Sequence, residues 1–254
     1  MDIQLLTRRQ LEILNRRSLG YPLAAAEKDY CLCLALRVLY ASHLGQSLVF
    51  KGGTALHHCY LPQYRFSEDL DFTSLDHDLR LEDVAQVLEA SQFFTVRRQR
   101  QSPHTIKIDR LQYRGVLGQP GSAKIEIDTT QNVVLPAQTQ IYNNVWGIDV
   151  QPVTMRLEEI CAEKIRATSG RARYRDFYDL YLILTELEVE LEDALDLARQ
   201  KEIREPIVPE AMRANWQIAQ EQQSADLRTI FCKREVSNAA IGELLAGLDF
   251  APLV

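Results

Sequence analysis

A chain of 254 residues can bury one large core or two modest ones. With 46% apolar and 25% charged residues it has a soluble globular composition, and its formal net charge of -6 excludes a protein that coats nucleic acid indiscriminately, though not a local basic groove. The longest apolar run, Cys31 to Leu36, is too short to span a bilayer. The N-terminus MDIQLLTRRQ carries charges where a signal peptide needs an apolar stretch. Five cysteines without a Cys-x-x-Cys pair argue against a disulfide framework or a zinc site and point to a reducing cytoplasm.

Taken in chain order, Thr7 and Gln10 fit a capping box, with Leu6 and Leu11 as a hydrophobic staple. They predict a helix to about Ser18, stopped by Gly20 and Pro22. A second, largely buried helix is expected from Ala24 to Ser42. Leu48-Val49-Phe50 reads as a strand running into Gly52-Gly53, with a helix from Thr54 to Tyr60. Leu70 to Thr73 is a second strand, and Leu81 to Phe93 has helical periodicity. Strands follow at Phe94 to Arg100, Thr105 to Val116 and Ala123 to Thr129, punctuated by Gly118, Pro120 and Gly121. From Leu157 the pattern is helical to the end, broken by Pro206 and Pro209, with Glu186 to Asp196 as an acidic solvated helix face. The expected organisation is a helical arm (1-45) packed on a mixed α/β core (46-155), then a helical region (156-254).

The chemistry concentrates around two aspartates. Asp69 and Asp71 are two residues apart on a strand, so both side chains take one face. Carboxylates held that close repel unless a cation lies between them. Magnesium suits the position, because it binds through one or two carboxylates plus substrate phosphates. Two such ions can serve an in-line displacement at phosphorus. Leu70 and Phe72 supply the opposite, apolar face. Lys124-Ile125-Glu126-Ile127-Asp128 repeats that alternation, which makes Glu126 the better third metal ligand. Lys51-Gly52-Gly53-Thr54 joins a strand to a helix, where glycines let the backbone approach a phosphate and the helix start offers free N–H groups. It is not a P-loop, because the Gly-x-x-x-x-Gly-Lys spacing is missing. His57 and His58 read as packing or surface residues, and Trp216 and Phe231 as core.

These residues resemble the AbiEii/AbiGii-type family of nucleotidyltransferase toxins, which includes the MenT toxins. The likeness begins at Glu27-Lys28-Asp29-Tyr30 and continues through Phe50-Lys51-Gly52-Gly53-Thr54-Ala55-Leu56. It is strongest at Arg65-Phe66-Ser67-Glu68-Asp69-Leu70-Asp71-Phe72. It resumes at Glu159, Ala162-Glu163-Lys164 and Arg175-Asp176-Phe177-Tyr178-Asp179-Leu180. The resemblance implies an α+β, DNA-polymerase-β-like nucleotidyltransferase core with a helical C-terminal region. It implies that Asp69 and Asp71 hold Mg2+ (two ions, with Mn2+ as a substitute) and that Lys164 contacts the nucleoside triphosphate. It also implies an essential aspartate that is either Asp176 or Asp179. Ser67 could donate to the triphosphate, and in relatives the matching hydroxyl is a target for an antitoxin kinase. The implied acceptor is the 3′ end of tRNA, in a toxin-antitoxin or phage-defence system whose antitoxin is encoded by a neighbouring gene.

Two rivals come from other classes. Asp69-Leu70-Asp71-Phe72-Thr73 matches the Asp-x-Asp-x-Thr of haloacid-dehalogenase-type phosphatases, but a polar segment precedes it and no downstream Gly-Asp pair exists. A nucleotidylated protein hydroxyl is the alternative acceptor, and a non-catalytic nucleotide- or partner-binding module is the alternative to an enzyme.

Overall fold

A computed structural model describes residues 3–201, 203 and 205–254. The chain divides into two compact units, one of residues 1–133 with 137–154, the other of residues 134–136 with 155–254.

The first unit opens with α1 (Arg8–Leu14), begun by the Thr7–Gln10 capping box and extended by a π-helical turn over Asn15–Leu19. Gly20 then takes φ +67°, which ends the helix. The next helix, α2 (Leu23–Tyr40), is buried on nearly every side, including Glu27 and Asp29. Beyond it come β1 (Leu48–Lys51), α3 (Gly52–Ala55) with a π-helical turn (Leu56–Tyr60), and β2 (Asp69–Ser74). Then follow α4 (Leu81–Glu89), β3 (Phe94–Gln101), β4 (Thr105–Arg114), β5 (Pro120–Asp128), and the two-residue strands β6 (Gln138–Thr139) and β7 (Val153–Thr154). Among the described residues these strands form one mixed sheet in the order β3-β4-β5-β2-β1-β7-β6. The central β2 runs antiparallel to β1 and parallel to β5. Its core face is built by Leu70 and Phe72, in register with Ile125 and Ile127, and Phe72 meets Phe50 at 5.4 Å between ring centres.

The second unit is helical: α5 (Leu157–Gly170), α6 (Tyr174–Thr185), α7 (Leu191–Arg199), α8 (Pro209–Ile230) and α9 (Asn238–Gly247). Trp216 of α8 is buried against Tyr174 and Phe177 of α6. No described helix is long and apolar enough to cross a membrane.

Several boundaries differ from the sequence expectation. The helix after β1 starts at Gly52, two residues early. The α4 helix stops at Glu89 rather than Phe93, because the Ser91 hydroxyl donates to the Leu88 carbonyl and Gln92 turns left-handed at φ +58°. Pro209 opens α8 instead of breaking a helix, since a first-turn residue needs no N–H partner. The stretch from Glu186 to Asp196 is not one helix: Glu188 sits at φ +52° and α7 begins only at Leu191. The strands β6 and β7 carry no periodic signal at two residues each.

A buried polar network ties α2 to the rest of the first unit. The Asp29 carboxylate accepts from Gln63 Nε2 at 2.8 Å and Trp146 Nε1 at 2.7 Å, and lies 3.4 Å from His58 Nε2. His58 Nδ1 donates to the Asn143 carbonyl at 2.8 Å while its ring stacks on Tyr142. Both histidines are fully buried. Removing a buried acceptor strands each of its donors. Asp29→Ala is therefore expected to lower unfolding stability by about 3–5 kcal/mol, read from urea denaturation; a change under 1 kcal/mol would mean the network is not a structural keystone.

Candidate active site

Strand β2 sets the centre of the site. Its alternation turns Leu70 and Phe72 into the core and leaves Asp69 and Asp71 half-buried on the other face. Across the ladder, Asp71 is in register with Lys51 on one side and Glu126 on the other. Lys51 is 9% exposed, which holds a cationic residue beside the acidic pair.

The glycines of α3 are there for room. Gly52 takes φ +76°, and a Cβ on it would collide with the Asp71 carboxylate oxygen. A Cβ on Gly53 would come within 2.6 Å of Arg65 Nη2 and 3.1 Å of Ser67 Oγ. The backbone of the helix start thus packs closely against Asp71, Ser67 and Arg65. Thr54 is fully buried, and its hydroxyl donates to the Asp69 carbonyl at 2.5 Å. Its side chain fixes β2 against α3.

Two residues of this region had no role in the sequence reading beyond the likeness. Arg65 is 1% exposed and donates from Nη1 to the Phe66 carbonyl at 2.9 Å. Lys28 pairs with Glu68 at 2.8 Å and so anchors the segment entering β2 to α2. Each residue of Glu27-Lys28-Asp29-Tyr30 makes a distant contact. Glu27 accepts from the Leu117 N–H at 2.6 Å, and the Tyr30 hydroxyl accepts from the Leu6 N–H at 2.9 Å. No sequence signal marks these charged residues as structural; the burial of Arg65, Glu27 and Asp29 and their distant partners do.

Glu126 is half-exposed and its carboxylate meets Lys107 Nζ at 2.8 Å. Among the described residues, no three His, Cys, Asp or Glu side chains converge as a metal-binding group. The carboxylates placed to receive a cation here are Asp69 and Asp71, with Glu126 in register with Asp71. Two hard oxygen donors beside a backbone cradle fit Mg2+, which completes its shell with phosphate oxygens and water. Cysteine offers no alternative: burial pushes the Cys161 thiol, and the Cys59 thiol despite its contact to Thr154, up to about 12, so both stay protonated at neutral pH.

The second unit holds a separate cluster. Lys164 on α5 reaches two carboxylates of α6, Asp176 at 2.9 Å and Asp179 at 2.7 Å, and Arg171 Nε meets Asp176 at 2.8 Å. One turn of helix carries both acids to one ammonium, so Asp176 and Asp179 share the same partner. Burial by itself would raise the Asp176 pKa, but Lys164 and Arg171 hold it well below its ordinary 3.8. Nearby, Glu159 is fully buried, ion-paired with Lys201, and accepts the N–H groups of Val134 and Leu135 at 3.0 and 3.1 Å.

The fold is that of an α+β nucleotidyltransferase with a helical C-terminal region. The chain is similar to MenT4, a nucleotidyltransferase toxin from Mycobacterium tuberculosis H37Rv, at 22% identity and a TM-score of 0.62, over 94% of this chain and 90% of that one. It is also similar to a nucleotidyltransferase from H. pylori, at 16% identity and a TM-score of 0.59, over 89% and 95% of the two chains. No curated protein matches it. Residues 35–240 match the family described as nucleotidyl transferase AbiEii toxin, type IV toxin-antitoxin system, and the chain belongs to that family. It is accordingly a nucleotidyltransferase of the toxin class, which implies a nucleotide substrate and a cognate antitoxin.

Two predictions follow from this geometry. Gly52→Ala places a carbon where the Asp71 carboxylate lies and forces a side chain into positive φ. Nucleotide transfer should fall at least about tenfold, with an unfolding penalty of about 1–3 kcal/mol; wild-type turnover in this variant would dismiss the cradle. Asp176 has a depressed folded-state pKa, so its stabilisation is complete above the unfolded value near 4 and is lost as pH falls through the folded one. Asp176→Asn should be less stable than wild type by roughly 3 kcal/mol at pH 7. That gap should narrow below about pH 4. A gap that widens on acidification would contradict the assignment.

Proposed function

We propose that this protein moves a nucleotide from a nucleoside triphosphate to the 3′ hydroxyl of tRNA, with Mg2+ held by Asp69 and Asp71. The observation that carries this reading is the pair of carboxylates on one face of β2, pressed against a glycine-only helix start. Within it, the backbone N–H groups of Gly52, Gly53 and Thr54 bind phosphate oxygens, and the Ser67 hydroxyl beside Gly53 adds a donor. Lys51 offsets the charge gathered at Asp71. Glu126 completes the acidic set and receives the proton of the acceptor hydroxyl. Lys164, with Asp176 and Asp179, serves the triphosphate.

The reaction balances simply. A bond forms from the acceptor oxygen to the α-phosphorus, and the bond from that phosphorus to the bridging oxygen breaks. Pyrophosphate leaves with the electron pair. Bound Mg2+ supplies neutralisation of the phosphate charge and in-line orientation. Blocking the tRNA 3′ end prevents aminoacylation, which accounts for a toxin restrained by an antitoxin encoded beside it.

The decisive experiment incubates the pure protein with each labelled nucleoside triphosphate, Mg2+, total cell RNA and total protein. Label is expected in the small-RNA fraction with wild type. It should be absent with Asp69→Asn, whose melting temperature should equal or exceed wild type because a repulsive pair is relieved. Label confined to the protein fraction would move the acceptor to a protein hydroxyl. Undiminished transfer by Asp69→Asn would remove the metal assignment.

A further inference from the structure

The open face of the sheet does not end at the aspartates. The strand register runs from Asp71 to Glu126, Lys107 and Arg100, across β2, β5, β4 and β3. Cross-strand partners project to the same side of a sheet. Ile106, Ile108, Ile125 and Ile127 fill the intervening positions on the core side. Three strand spacings place the edge strand about 14 Å from Asp71.

Past Glu126 this face is basic. Arg98 and Arg100 of the edge strand have side chains 79% and 66% exposed. Register shifts interrupt β3 around Arg98 and β4 between Ile108 and Leu111. Such bulges increase twist and re-aim side chains. Arg97, Arg98 and Arg110 sit at these irregular positions, and all three are exposed. Lys124, in register with Asp69, extends the strip back to the reaction centre. The acids on the strip are occupied. Asp109 lies 3.5 Å from Arg100 and 3.8 Å from Arg98, Glu126 meets Lys107, and Asp128 accepts the backbone N–H groups of Thr130 and Gln131. A concentration of exposed arginines on one sheet edge runs against the chain's net charge of -6.

We infer that this strip is the track along which the phosphate backbone of the acceptor RNA reaches Asp69 and Asp71; the inference rests on the proposed transfer to RNA. A line of cations that leads in register to the reacting centre suits a linear polyanion. An acidic protein partner is the weaker fit, because three arginines on an edge strand oppose strand addition. The aromatic residues of β3 and β4, Phe94 and Tyr113, are buried. Recognition therefore rests on phosphate charge rather than base stacking, and it is indifferent to sequence and sensitive to salt.

The test is the triple variant Arg98→Glu/Arg100→Glu/Arg110→Glu, with Arg98→Ala/Arg100→Ala as the milder form should charge reversal impair folding. Bulk tRNA is the probe, in steady-state transfer and in binding titrations across KCl concentrations. The KM for tRNA should rise at least about tenfold, with kcat and the KM for nucleoside triphosphate unchanged. The slope of log affinity against log salt should become shallower by about 2–3 for the triple variant. A folded variant with the wild-type KM for tRNA and the wild-type salt slope would overturn the track alone. If such a variant also lost the antitoxin, the strip would belong to the protein partner and the inference would fall. Wild-type protein that labels no RNA would remove the transfer reading and the track together.

Discussion

The close approach of the Gly52 backbone to the Asp71 carboxylate is the constraint on which the site depends. It requires a residue with no Cβ at φ +76°, which only glycine adopts without strain. It also requires β1 and β2 to pair antiparallel, so that the strand leading into the helix and the strand carrying the acids lie side by side. From that pairing come the other juxtapositions: Lys51 beside Asp71, Ser67 and Arg65 behind Gly53, and the Thr54 hydroxyl on the Asp69 carbonyl. Each sets a fixed dipole or charge beside the acid pair. Groups preorganised this way need no rearrangement when charge develops on a reacting phosphorus.

Holding two like charges on one strand has to be compensated by the surrounding structure, and α2 does much of that. Asp29 and Glu27 are buried acids whose acceptors are taken by Trp146, Gln63 and the Leu117 N–H. They pin the helix against the sheet with bonds that are strong because they are dry. The Lys28–Glu68 pair is partly exposed and contributes less to stability. Its position is what counts, since Glu68 immediately precedes Asp69. Four consecutive residues of one helix thereby tie down a distant helix start, the entry to β2 and the turn after β4.

The acid pair, the glycine start and the alternating strands were legible because each has a local, periodic signature: Asp-x-Asp on a strand, Gly-Gly between strand and helix, isoleucines every second residue in β5. The roles of Arg65 and Asp29 were not legible. A buried arginine reads in sequence like a surface one, and its setting comes from Gly53, twelve residues away, rather than from its neighbours. The short strands β6 and β7 are defined by partners, not by pattern. His57 and His58 illustrate the same limit. Their place on the helix reads as packing or surface, while the stacking of His58 on Tyr142 depends on a loop with no regular structure.

The cluster in the second unit sets a different problem. Lys164 pairs with both buried acids, Asp176 and Asp179, while the half-exposed Arg171 meets Asp176 from the solvent side. A lysine held by two carboxylates has its ammonium fixed in place, so its position is set by α6 rather than by a flexible stem. Truncating Lys164 to alanine would leave two buried acids with Arg171 beside Asp176, and the loss would be felt first as stability. Loss of toxicity in such a variant therefore speaks to catalysis only when folding is measured beside it. Asp69 is half-buried beside the like charge of Asp71, so neutralising it relieves a repulsion rather than breaking an ion pair of the kind Lys164 makes. The two clusters thus differ in what a substitution reports: at Asp69 the neighbouring carboxylate is a like charge, whereas at Asp176 and Asp179 the neighbours are cations, so a neutralising change there removes an ion pair and reads stability together with function.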